Sequence, residues 1–192
     1  MGFFFDELDS HARNTALVLK NRTQISYKEL SELANQFQKI IGNSRKLIMI
    51  EMANELDPII AYLACLREKH PAILVYPENP QLITQIKNNY KPDIIYEKID
   101  GKYVINYQSE ETVFLNNLSS DLSIVLSTSG STGSAKCIRL SAENLNANAR
   151  SIVEYLELDS SQKAITNLPL HYSYLTFRAS ELLNFSIFPG WF

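Results

Sequence analysis

Cysteine is scarce in this chain. There are two, Cys65 and Cys137, in 192 residues. That is too few for a disulfide framework and points to a reducing compartment, so a cytoplasmic location is expected. Long hydrophobic runs are missing as well. The longest, Ile59 to Leu66, falls far short of the roughly 20 residues that span a bilayer. The start, Met1-Gly2-Phe3-Phe4-Phe5-Asp6-Glu7, lacks the basic region and the longer apolar stretch of a signal peptide. Asp6 stands where a myristoylation pattern needs Ser or Thr. Without a secretory leader, the sequons at Asn21, Asn117 and Asn184 carry little weight. No excess of positive charge is present either. Lys and Arg total 18 against 21 Asp and Glu, a formal charge of −3. This argues against a general binder of nucleic-acid backbones, and no membrane partner is expected. Three His and two Cys are scattered without metal-ligand spacing. There is no internal repeat.

What remains is ordinary globular composition, 45% hydrophobic and 20% charged. A chain of this length buries roughly 70% of its unfolded surface, enough for a core. The pattern alternates strand and helix. Thr15 to Lys20 reads as a strand, with a turn at Asn21-Arg22. Ser26-Tyr27-Lys28-Glu29 is a capping box. Leu30, Leu33, Ala34, Phe37, Ile40 and Ile41 then form one stripe of a helix that Gly42 ends. Lys46–Glu51 is a strand. Pro58 sits in the first turn of the next helix, which runs to about Lys69. Ala72–Tyr76 is a strand, Asn79 to Tyr90 a helix, and Pro92–Tyr96 a strand. Tyr103–Ile105 and Thr112–Leu115 are expected as a local hairpin or edge strands. Leu122–Ser127 and Lys136–Leu140 are strands, and Ser141 caps a helix to about Leu156. The fold class is therefore α/β, with βαβ units and a largely parallel sheet flanked by helices. Residues 1–118 are expected as one subdomain and 119–192 as the start of a second.

Between the last two strands, residues 127–136 read Ser-Thr-Ser-Gly-Ser-Thr-Gly-Ser-Ala-Lys. Gly130 and Gly133 permit backbone conformations closed to other residues and let a ligand approach. Successive amides in such a turn form an anion-binding nest. The hydroxyls of Thr128, Ser129, Ser131, Thr132 and Ser134 add donors, and Lys136 adds a point charge suited to phosphate. The stretch is neither a Walker A loop nor Gly-x-Gly-x-x-Gly. It reads as a polyphosphate loop or, more plainly, as a flexible Ser/Gly connector. Cys137 reads as a strand residue rather than a nucleophile, with no base near it in sequence.

Val125 to Lys136 resembles the phosphate-binding signature of the adenylate-forming (AMP-dependent) synthetases and ligases. Ser26-Tyr27-Lys28-Glu29-Leu30 is similar to an early segment of that family. So are Ala61 to Leu66, Val75-Tyr76-Pro77, and the stretch from Arg139 to Asn148. Leu168-Pro169-Leu170-His171-Tyr172-Ser173-Tyr174 resembles the motif that follows near the acyl pocket. The resemblance covers about residues 10–174 and implies an incomplete N-terminal domain of the adenylate-forming fold. It also implies a reaction: a carboxylic acid attacks the α-phosphate of ATP, with Mg²⁺, giving acyl-AMP and pyrophosphate. The acyl group then passes to a thiol of coenzyme A or a carrier protein. The loop residues Thr128, Ser129, Gly130, Ser131, Thr132, Gly133 and Lys136 would hold the β- and γ-phosphates. His171 would help shape the acyl site, or else is an ordinary packed or surface histidine. His11 and His70 are expected at the surface.

The family's Tyr-Gly-x-Thr-Glu segment, its ribose-binding Asp motif and its C-terminal domain with a catalytic Lys have no counterpart here. From Leu175 the resemblance stops, as a frameshift or premature stop would produce. The chain alone is therefore expected to be inactive. It would be the N-terminal part of a ligase or, alternatively, a non-catalytic phosphate-binding or interaction module. An unpaired sheet edge leaves a homodimer open.

Overall fold

The computed structural model describes residues 3–108, 118–128, 136–157, 163–166 and 186–189. For residues 128, 136, 163–166 and 186–189 it describes the backbone alone. A short 3₁₀ turn, Leu8–His11, precedes a hairpin of β1 (Thr15–Val18) and β2 (Gln24–Ser26). Helix α1 (Tyr27–Ile41) follows directly. Ser26 caps it: its hydroxyl accepts from the Glu29 amide at 3.2 Å, and the Glu29 carboxylate accepts from the Ser26 amide at 2.8 Å. Two of the orphan donors at the start of the helix are thereby satisfied. The helix stops at Gly42, whose φ of 77° suits a residue without Cβ.

Strand β3 (Ile48–Glu51), helix α2 (Leu56–Arg67), strand β4 (Ala72–Val75), helix α3 (Pro80–Tyr90) and strand β5 (Ile94–Ile99) then alternate. Asn79 caps α3 by accepting from the Leu82 amide, and Pro80 takes its first position, where a missing N–H costs nothing. Strand β6 (Lys102–Tyr107) returns antiparallel to β5. Strands β7 (Leu122–Thr128) and β8 (Lys136–Ser141) lead into α4 (Ala142–Tyr155). Ser141 caps α4 together with Asn144, which reaches back to the Ser141 amide at 3.1 Å.

Six strands form one sheet in the order β6-β5-β3-β4-β7-β8. The four inner strands are parallel, and the two edge strands are antiparallel to their neighbours. The connection β3–α2–β4 steps one way along the sheet, and β4–α3–β5 steps back past β3. Right-handed crossovers in opposite directions put their helices on opposite faces. The core divides accordingly. Ile48, Ile50, Leu74, Tyr96 and Ile124 pack with residues of α1, α2 and α4 on one face. Met49, Ile73, Val75, Ile95 and Val125 pack with Ile83 and Ile86 of α3 on the other. Burial on both faces is why β3 and β4 read as unbroken apolar runs.

A second, four-stranded sheet runs β2-β1-β10-β9, with β9 at Lys163–Thr166 and β10 at Ser186–Pro189. β10 lies parallel to both β1 and β9. The expected strand at Thr112–Leu115 lies outside the described residues.

Two expectations are corrected. His70 is not at the surface: it is fully buried, its ring bonded on both sides to backbone. His11 is half-buried, with its ring 5.8 Å from that of Tyr27. Periodicity locates apolar faces but gives no warning that an isolated histidine fills an interior gap between two turns.

The two-sided core makes a direct prediction. Leu74, fully buried in β4, when changed to Ala should cost about 2–5 kcal/mol of unfolding free energy. The exposed Ile40 at the end of α1, changed the same way, should cost no more than about 0.5 kcal/mol. Urea unfolding of the two variants checks the contrast.

Candidate functional site

The Ser/Thr/Gly stretch begins and ends on neighbouring strands. Thr128 closes β7, Lys136 opens β8, and their Cα atoms are antiparallel partners. The chain between them must therefore leave and re-enter the sheet within the roughly 5 Å that separate opposed residues. It does so at the carboxyl end of β7, beside the carboxyl end of β4, since Leu74 is in register with Leu126. In open α/β sheets, ligands bind outside the carboxyl ends of the parallel strands. Ser129, Gly130, Ser131, Thr132 and Gly133 lie outside the described residues, as does His171. Thr128 and Lys136 are described by their backbone alone. His171 is thus not brought together with the loop by anything described.

The same sheet edge carries a polar cavity of 690 Å³. Residues following β3 and β4 line it, among them Asn54, Glu55, Asp57, Tyr76 and Glu78, together with Lys20 from the β1–β2 turn. Polar contacts tie its wall to β5 and the adjoining end of β3 to β6. The Lys98 ammonium sits 2.6 and 2.7 Å from the two carboxylate oxygens of Glu55. The Tyr96 hydroxyl donates to Asp57 at 3.4 Å, and the Tyr103 hydroxyl donates to the Glu51 carbonyl at 3.2 Å. Burial, followed by the neighbouring carboxylate charges, pushes both phenols above their ordinary range, so they stay neutral donors. Sequence periodicity gave no sign of this cavity, because its lining comes from three separate turns.

At the opposite end of β7, Arg45 clamps the start of the strand. Its guanidinium donates to the carbonyls of Ser119 at 2.7 Å and Leu122 at 3.4 Å, and also to that of Lys69 at 3.3 Å. The start of β7 is thus held by an arginine the sequence did not mark. Among the described residues no group of three or more His, Cys, Asp or Glu could hold a metal ion. Nor, among them, is any helix long and apolar enough to cross a membrane.

Cys65 is fully buried in α2, and burial pushes its thiol far above the ordinary range. Cys137, in β8 at the head of the sheet edge, is only partly buried. Tyr90 packs against it, its phenol pushed up to about 12 by burial and then by the Cys137 contact.

No protein-family model and no curated protein matches the chain. Solved structures do. MatB from Rhodopseudomonas palustris superposes with a TM-score of 0.75 at 16% identity, over 96% of this chain and 43% of its own. The N-terminal domain of FACL13 from Mycobacterium tuberculosis gives 0.78 at 13% identity, over 100% of this chain and 58% of its own. The o-succinylbenzoate CoA synthetase MenE from Bacillus subtilis, solved with a product analogue, gives 0.74 at 16%, over 98% and 44%. The fold is that of the N-terminal part of the adenylate-forming ligases, in keeping with the motifs at Ser26 and at residues 125–136. At these identities the likeness is one of fold, and the chain spans about half the length of the structures it matches.

The thiols give a test. A membrane-permeable size of reagent is not needed: iodoacetamide at neutral pH should label Cys137 and spare Cys65 in the native protein, and label both in urea. Mass spectrometry of the labelled peptides reads the outcome.

Proposed function

We infer that this chain is the N-terminal part of an AMP-forming acyl-activating ligase, contributing the phosphate-binding loop to a reaction completed by a longer enzyme. In that reaction a carboxylic acid and ATP give acyl-AMP and pyrophosphate, and the acyl group then moves to a thiol such as coenzyme A or a carrier protein. One observation carries the reading: a Ser/Thr/Gly stretch ending in Lys136 bridges two paired strands at the carboxyl edge of a ligase-type sheet.

The donor set suits ATP. The hydroxyls of Thr128, Ser129, Ser131, Thr132 and Ser134, the amides around Gly130 and Gly133, and the Lys136 ammonium match the β- and γ-phosphates. Their chemical task is to offset charge and to hold the pyrophosphate leaving group in line with the attacking carboxylate. Mg²⁺ has no residue assigned to it, since the described carboxylates form no metal cluster. His171 remains a proposed contributor to the acyl site. Support for ATP and acyl ligands comes from the neighbours: a MatB chimera solved with ATP, VinN with L-aspartate, and MenE with its product analogue.

A second reading is a phosphate-binding module without turnover, for which the same hydroxyls, amides and Lys136 ammonium would serve equally well.

Pyrophosphate release from ATP across a panel of carboxylic acids separates the two. The chain alone should release none above background, while millimolar pyrophosphate should raise its melting temperature by mass action. Lys136→Ala should abolish that rise. Sustained acid-dependent release lost in Lys136→Ala would overturn the expectation of inactivity. An unchanged melting temperature in the unsubstituted chain would leave the loop as a connector.

A further inference from the structure

His70 joins two turns that are far apart in sequence. It follows α2, and its backbone is anchored where its amide donates to the Cys65 carbonyl at 2.9 Å. Its ring lies across the α1–β3 turn. Nε2 faces the Gly42 carbonyl at 3.1 Å, and Nδ1 faces the Lys46 amide at 3.0 Å. A backbone carbonyl only accepts and a backbone amide only donates. The ring must therefore be neutral, with its proton on Nε2 and a lone pair on Nδ1. The side chain is fully buried, so no water can replace either partner without the turn moving.

The turn has other ties, and they are cationic. Lys46 sends its ammonium to the Ile41 carbonyl at 2.8 Å and to the Ser44 hydroxyl at 2.6 Å. Arg45 reaches the carbonyls of Ser119 and Leu122 at the start of β7. Opposite charge comes from Glu68 at the end of α2 and from Asp93, which accepts from the Leu47 amide at 2.6 Å. A proton on Nδ1 would point at the Lys46 N–H, donor against donor, with the positive charges of Lys46 and Arg45 also acting against it.

We propose that His70 is a proton-operated latch: neutral, it holds the 42–46 turn against α2, and protonated, it releases that turn together with the grip of Arg45 on the start of β7. Burial first, then the nearby Lys46 and Arg45 charges, lower the affinity of the ring for a proton, against the opposing pull of the Gly42 carbonyl and Glu68. The direction of the pH effect follows. Because the closed state has the lowered pKa, the latch is fully engaged above the ordinary imidazole value of 6.5 and weakens as the pH falls below it. The released strand is the one that leads into the Ser/Thr/Gly loop, so the loop's footing would loosen in acid. The latch itself does not depend on what the loop binds.

Amide hydrogen exchange on the whole chain, corrected for intrinsic rates, tests the latch between pH 7.5 and pH 5. The Lys46 and Leu122 amides should lose protection as the pH falls below 6.5, by at most about tenfold per unit for one proton, while amides of β4 hold theirs. His70→Asn offers its carbonyl oxygen to the Lys46 amide at every pH, so its exchange should be free of that pH dependence. Protection that persists in the unsubstituted chain down to pH 5, or an equal loss in His70→Asn, would overturn the proposal. Should His70→Asn fail to fold, imidazole ¹⁵N shifts of the unsubstituted chain decide. Opening that tracks the ring's titration supports the latch, and titration without opening contradicts it.

Discussion

The register of β7 against β4 is the constraint on which the candidate site depends. Ala72, Ile73 and Leu74 pair with Ile124, Val125 and Leu126. A slip of one residue would turn Val125 toward α1 and α2 and drive Ile124 and Leu126 toward α3. With both faces buried, such a slip is costly, so the end of β7 is held at one height on the sheet. The pairing of β8 with β7 extends the same register, and Thr128 meets Lys136 as a consequence. The loop's ends are thus set by apolar packing several residues away from any polar chemistry.

Polar contacts then fix what packing leaves free. Arg45 holds the carbonyls at the start of β7, and Arg67 does a comparable task between the helices. Its guanidinium donates to the Phe5 carbonyl at 2.8 Å, to the Ser31 hydroxyl at 3.0 Å and to Asn35 at 3.0 Å, tying the N-terminal segment and α1 to α2. Burial lowers the affinity of Arg67 for its proton, and the facing Asp9 and Asp6 charges oppose that. Each arginine spends several donors on oxygens of segments far from it in sequence, Ser119 and Leu122 for Arg45, Phe5 and Ser31 for Arg67.

Much of this was legible in the sequence because it is local. The Ser26–Glu29 box, the stripe from Leu30 to Ile41, Gly42, the helix from Asn79 and the apolar runs of β3, β4 and β7 each declare themselves within a few residues. The Ser/Thr/Gly stretch declared itself by composition and by the strands that bound it. What was illegible is long-range. The hairpin partner β2 is three residues long and only half-buried. β10 finds its place between β1 and β9, contacts set by chain segments far removed in sequence. His70 looked like any solitary histidine, because its partners are backbone atoms of another turn. The acidic cavity at the sheet edge is assembled from three connections, and although Tyr76-Pro77 lies in a family-like segment, nothing local announced that the three meet.

The central claim is that residues 128–136 form a polyphosphate site at the carboxyl edge of a ligase-type sheet. It is met most directly by mapping inorganic pyrophosphate onto the backbone amides by ¹H–¹⁵N NMR. The account predicts saturable shifts confined to residues 128–136 and the adjoining ends of β4 and β7. Shifts scattered over the surface lysines, or no shifts at millimolar pyrophosphate, would contradict it.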